Sequence, residues 1–115
     1  MHEVSLVQSL FDGVDRAIGA HPRSAVRQVT VRIGELAGVE RVLFETAFSG
    51  CRTERGYDAA ALTITEERAA YRCALCDAPI AYGGPLRCAS CDGAARLVAG
   101  GEIFLDRVEL EVVDV

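Results

Sequence analysis

The sequence predicts an α+β fold, a small three-stranded sheet with two helices, interrupted by an inserted four-cysteine module. Three observations predict it. Two segments carry apolar residues at three- and four-residue steps, the period of an amphipathic helix. Three others alternate apolar with polar residues, the period of a half-buried strand. Between Tyr71 and about Leu97 both patterns fade, while four of the five Cys and two of the three Pro gather there. At 115 residues the chain can build one modest core.

The elements follow in order. From Glu3 to Ile18, the residues Val4, Val7, Phe11, Val14 and Ile18 trace a helix stripe, widened by Leu6, Leu10 and Ala17. Gly19 and the His21-Pro22 step end it, because Pro cannot continue a helix and restricts the residue before it. Val29, Val31 and Ile33 then alternate with Gln28, Thr30 and Arg32 as a first strand. Gly34 and Gly38 bracket a loop, and Val39, Val42, Leu43, Ala47 and Phe48 mark a second helix expected to stop at Gly50. A second strand carries Leu62 and Ile64. A third, from Glu102 to Val112, sets Phe104, Val108, Leu110 and Val112 opposite Asp106, Glu109 and Glu111. The implied domains are 1–70 with 98–115, and the insertion 71–97.

Composition narrows the classes. Half the chain is hydrophobic and a quarter charged, as in globular proteins. Twelve basic residues, all Arg, against seventeen acidic ones leave a net charge of −5. Such a chain repels phosphate backbones, so no nucleic-acid partner is expected. No apolar stretch is long enough to span a bilayer. The start lacks the basic and apolar regions of a secretory signal. The expected location is therefore cytoplasmic, where disulfides rarely persist.

The cysteines carry the strongest signal. Cys73-Ala-Leu-Cys76 and, eleven residues on, Cys88-Ala-Ser-Cys91 can each form a tight turn with both thiolates aimed at one centre. Two such turns complete a tetrahedron of sulfurs, the closed arrangement of a structural zinc site. The insertion cannot fold on an apolar core of its own, which fits a metal cross-link. The turns require a residue tolerant of positive φ after the second Cys, a place taken by Asp77 and by Asp92 ahead of Gly93. A single iron would accept the same four thiolates. Two disulfides are disfavoured by the expected location, and a thioredoxin-like redox pair would leave one C-x-x-C unexplained. Cys51 lies outside the pattern and reads as a small apolar residue of the second helix.

The N-terminal Met-His-Glu offers a second kind of chemistry. The Met1 amine, the His2 amide and the His2 imidazole can close adjacent chelate rings around one ion. Amide nitrogen binds only when deprotonated, and a nitrogen-rich tetragonal or octahedral site favours nickel or copper. Glu3 adds a carboxylate. On the bland reading His2 is solvated, and Glu3, Asp12 and Asp15 form the wet face of the first helix, with Glu3 favoured by the helix dipole.

Met1-His2-Glu3-Val4-Ser5-Leu6, the run Ile33-Gly34-Glu35-Leu36-Ala37-Gly38-Val39-Glu40 and the two C-x-x-C pairs together closely resemble the HypA/HybF family of nickel-delivery factors for nickel–iron hydrogenases. The resemblance covers essentially the whole chain. It implies a nickel domain of two helices and three strands, and a zinc domain made by the insertion. His2 would be the principal nickel ligand with Glu3 close by, and Glu40 matches a position from which an acidic side chain can approach the same site. Cys73, Cys76, Cys88 and Cys91 match the zinc ligands. The family often has Pro after the first Cys of a pair and Gly after the second. This chain instead has Ala74, Ala89, Asp77 and Asp92. Implied partners are a HypB-type GTPase and the hydrogenase large subunit, with urease maturation proteins as a further client class.

The expected function is thus a nickel metallochaperone with a structural zinc, a binding protein and not an enzyme. The chain shows no H-E-x-x-H, phosphate loop or nucleophile–base pair. The competing reading is a zinc-ribbon module for protein docking or nucleic-acid binding, with no transported metal. Its nucleic-acid form needs a basic groove. Here Arg72, Arg87 and Arg96 are offset by Asp77 and Asp92, and Tyr71 and Tyr82 are the insertion's only aromatics.

Overall fold

The computed structural model describes residues 2–112. Its elements run α1 (His2–Ile18), a short 3-10 turn (Arg23–Ala25), β1 (Val26–Gly34), α2 (Arg41–Glu54), β2 (Ala61–Glu67), β3 (Ala70–Cys73), β4 (Pro79–Ile80), β5 (Ala95–Ala99) and β6 (Ile103–Leu110). The strands form two sheets, ordered β2-β1-β6 and β4-β3-β5. The α+β class and the two-helix, three-strand frame agree with the sequence expectation. The chain divides into two compact units. Met1–Arg32, Val39–Thr65 and Phe104–Val115 form the first, and Ile33–Gly38 with Glu66–Ile103 the second.

The first unit is held by apolar burial. Helix α1 buries Val7, Leu10, Phe11, Val14 and Ile18, and central strand β1 buries Val26, Val29 and Val31. Phe11 stacks between Phe48 of α2 and Tyr57, with ring centroids 5.1 Å apart on each side. The buried line of α1 begins at Glu3, and Val4, expected in the stripe, is 49% exposed. The two positions lie about 100° apart on a helix, so seating Glu3 turns Val4 outward. In α2, Phe44 and Phe48 alone are buried, while Val42 and Leu43 face solvent. That helix passes through Gly50 and stops after Glu54; Gly56, at φ +84°, follows the end. A single glycine costs a helix only about 1 kcal/mol relative to Ala, too little to stop it at Gly50.

Two strand readings also change. Thr30 joins the valines in being buried, because β1 sits between two neighbours. In β6 the inward-leaning residues are Ile103, Leu105, Val108 and Leu110, so Phe104 lies on the exposed side with Asp106. There the Arg32 guanidinium stacks over the Phe104 ring at 4.6 Å and donates to Asp106 at 3.2 Å. An aromatic held by a cation this way does not need the core.

At the edge of the first core, Asp15 accepts hydrogen bonds from the Tyr57 hydroxyl, Arg55 (3.0 Å) and Arg23 (2.9 Å). Burial alone would raise the Asp15 carboxyl. The Tyr57 hydroxyl and the two guanidinium groups outweigh it and hold the carboxyl below its ordinary range. Burial, reinforced by the Asp15 charge, pushes the Tyr57 hydroxyl up to about 12.

The second unit has little apolar core. Between Glu66 and Ile103 the buried apolar side chains among the described residues are Ala69, Cys73 and Cys88. Backbone contacts replace side chains. A Cβ on Gly34 would fall 2.3 Å from the Gly100 carbonyl carbon, and Gly100 itself has φ +86°. This close crossing lets Gly34 donate to Glu102 (2.9 Å), Glu35 to Glu67 (2.8 Å) and Leu36 to Gly100 (2.8 Å). Glu35 then accepts from the Ala69 amide (2.8 Å) and from the Tyr82 hydroxyl. The Ile33-Gly34-Glu35 run is therefore a clip that ties residues 33–38 into this unit.

Candidate metal centres

The cysteine centre grows from two similar turns. Strand β3 ends on Cys73, whose amide donates to Ala78 (2.8 Å) while its carbonyl accepts from Asp77 (3.0 Å). Cys88 repeats the pattern with Gly93 (2.9 Å) and Asp92 (2.9 Å). Each turn closes on an aspartate in the left-handed region, Asp77 at φ 62° and Asp92 at φ 60°. The short polar side chain of Asp tolerates that conformation better than most. Asp77 and Asp92 thus take the positive-φ place that the sequence reading gave them.

All four sulfurs lie within 4.8 Å of one another. Cys73 Sγ is 3.4 Å from Cys91 Sγ, and Cys76 Sγ lies 3.6 Å from Cys88 Sγ and 3.7 Å from Cys91 Sγ. A metal about 2.3 Å from each sulfur would space them about 3.8 Å apart, so the donor set fits a tetrahedral thiolate site. Gly93 matters here, because a Cβ at that position would sit 2.7 Å from Cys73 Sγ and 3.2 Å from Cys91 Sγ. The sequence reading missed that approach, although a glycine directly after a turn aspartate was its visible trace.

The electrostatics favour a cation. Amides of Cys76 and Leu75 pull the Cys73 thiol down to about 6, and amides of Cys91 and Ser90 lower Cys88. The Cys73 sulfur pushes Cys91 up to about 12; at Cys76 the Ala78 amide lowers the thiol, but the sulfurs of Cys88 and Cys73 leave it raised. The first thiol of each turn ionises readily and its partner resists a second negative charge, a conflict a divalent cation removes. Around the centre, Arg72 and Arg96 pair with Asp77, and Arg87 with Asp92. These arginines are occupied, and the basic groove that a nucleic-acid module needs does not form from them.

The second candidate lies at the start of α1. His2 is exposed, and its Nε2 stands 3.8 Å from Oε2 of Glu3, which is only 4% exposed. Glu3 is buried, and the Glu40 amide donates to its Oε2 at 3.3 Å. The Glu40 side chain itself is exposed. His2, Glu3 and the Glu40 backbone are therefore brought together, and Glu3 does not belong to the wet face of its helix. Met1, whose amine the sequence reading offered as a ligand, lies outside the described residues. Cys51 is half-buried inside α2.

Comparison with known proteins places this arrangement. The family described as "Hydrogenase/urease nickel incorporation, metallochaperone, hypA" matches residues 1–110. The chain is 30% identical to the hydrogenase maturation factor HypA of Shewanella halifaxensis, over 96% of this chain and 98% of that protein. It is 32% identical to that of Azorhizobium caulinodans, over 98% and 100%. Its fold is similar to the solution structure of the Ni metallochaperone HypA from Helicobacter pylori, with a TM-score of 0.75, 26% identity, and coverage of 96% and 97%. With its four-cysteine centre and the match along nearly its full length, the chain belongs to the HypA family of nickel metallochaperones for hydrogenase maturation, which are not enzymes.

Proposed function

We propose that this chain carries nickel(II) on His2, with Glu3 and Glu40 tuning the site, and that Cys73, Cys76, Cys88 and Cys91 hold one structural zinc. The nickel domain is then 1–70 with 98–115, and the zinc domain 71–97. One observation carries the nickel reading: an exposed imidazole stands beside a buried carboxylate that is fixed by the Glu40 amide. Imidazole suits nickel, and carboxylate oxygen is a harder and weaker donor to it. An open, surface-facing ligand set also suits a cargo that must leave. The cysteine centre offers four protein ligands and no open position, so its metal holds shape.

The implied exchange is delivery of nickel to the large subunit of a nickel–iron hydrogenase, in concert with a HypB-type GTPase, in the reducing cytoplasm where four thiolates persist. Urease maturation proteins are the second client class, in keeping with the family description. Calorimetric nickel titration of untagged, zinc-loaded protein tests the reading. His2→Ala should nearly abolish specific binding, and Glu40→Gln should weaken it a few-fold, with zinc content unchanged in both. Nickel binding that survives His2→Ala would refute the site, and equal losses would reverse the ranking of ligands.

A further inference from the structure

Away from both metal centres, α2 and the edge of the larger sheet enclose a groove within the first unit. Arg41, Glu45, Phe48, Ser49 and Arg52 line it from the helix, and Ala61, Leu62 and Ile64 from β2, around a cavity of about 360 Å³. In the order β2-β1-β6, β2 has a neighbour on one side only. Its stretch Ala61–Thr65 contains no charge, Pro or Gly, the devices that usually block an open strand edge; the charges of β2, Glu66 and Glu67, stand at its far end. This edge is left available for pairing.

The side chains of the groove specify what would pair. Arg41 is bound to Glu45 at 3.0 Å. Arg52, half-buried, donates to the Ala60 carbonyl at 2.8 Å and meets no carboxylate among the described residues. A partly desolvated guanidinium of this kind calls for an anionic oxygen. Phe48, Leu62 and Ile64 supply an apolar floor beside it. Phe48 and Arg52 are four residues apart on the helix, about 6 Å along its axis. Two residues of an extended strand cover about 6.7 Å, a step of similar length.

We propose that the groove receives an extended segment of a partner protein, added as a further strand beside β2. It would place an acidic side chain on Arg52 and Ser49 and, two residues along, an apolar side chain over Phe48, Leu62 and Ile64. Main-chain pairing gives affinity in this mode, and the alternate side chains give selectivity. The occupant is a different chain, because the acidic residues that β2 could offer a second copy, Glu66 and Glu67, are engaged within their own chain, Glu67 by the Gly100 amide.

The test is an amide chemical-shift titration of the full-length protein with the pentapeptide acetyl-Thr-Asp-Thr-Val-Thr-amide. Shifts should be confined to Arg41–Arg52 and Ala61–Ile64. Ser49→Glu, an exposed position, should weaken binding at least tenfold and leave the remaining spectrum in place. Replacing the peptide's Asp with Arg should weaken binding to the unaltered protein equally and recover it for the Ser49→Glu protein. Shifts spread over other faces, equal binding of the two peptides, or no shifts up to the solubility of the peptide would overturn the proposal. So would concentration-dependent shifts of the same residues without peptide, which would mean that a second copy covers the edge.

Discussion

In the first unit Phe11 is sandwiched between Phe48 and Tyr57 beside a row of buried valines, whereas between Glu66 and Ile103 the buried apolar side chains described are Ala69, Cys73 and Cys88. The first unit can fold on burial of apolar surface. The second replaces that burial with two cysteine turns and a glycine crossing, which on the proposed assignment makes it depend on a metal held by the four sulfurs. The division suits a carrier. On the proposed assignment, a permanent metal would support a unit with little apolar core, and the cargo ligands would sit at the start of α1, which packs without metal.

The largest effect should come from breaking the cysteine centre. Structural zinc contributes roughly 10–16 kcal/mol to the folding of small metal domains. Cys88→Ser should strip the metal and make residues 73–91 protease-sensitive, with most of the helical circular dichroism retained. Full metal occupancy in that variant would contradict the assignment. Next comes Phe11→Ala, which should cost about 3–5 kcal/mol, measured by denaturant unfolding of the helical signal, with metal content unchanged until the chain unfolds.

Tyr57→Phe should cost about 1.5–3 kcal/mol, since it removes a buried hydrogen bond to a charged acceptor. It also changes the pH profile. The Tyr57 hydroxyl is raised to about 12, so its contribution is whole below its ordinary value near 10 and is lost as pH climbs toward 12. The phenylalanine variant should lose that alkaline slope. Asp15 is shifted downward, so its contribution is present above the ordinary carboxylate range and fades on acidification through its lowered value. Gly93→Ala crowds Cys73 Sγ and should cost about 1–3 kcal/mol, read as faster loss of metal to a chelator. Cys51→Ser should be the mildest, leaving zinc content as it was.

The sequence made some of this legible and concealed the rest for physical reasons. Spacing alone marked the cysteine turns, because ligand geometry is local, and it located Asp77 and Asp92 at the positions that adopt positive φ. Helical period announced Val7, Phe11, Val14 and Ile18, but it could not rank Val4 against Glu3. Among the partners that seat Glu3 is the amide of Glu40, thirty-seven residues away, which no local period can show. Tyr57 escaped notice because it follows α2 in a loop with no period of its own, and its burial depends on Phe11 and Asp15. Phe104 misled because an arginine on a neighbouring strand, not the core, receives its ring. The clip around Glu35 was visible as a motif, yet its partners Ala69 and Tyr82 appear only once the chain is folded.

Hydrogen exchange resolved along the chain, before and after removal of metal by a chelator under reducing conditions, tests the contrast between the units most directly. Protection should collapse across β3, β4 and β5 and persist in α1, α2 and the centre of β1. Protection retained in β3 and β5 after the thiols are emptied would show that the second unit folds without its metal, and would contradict this division between burial and coordination.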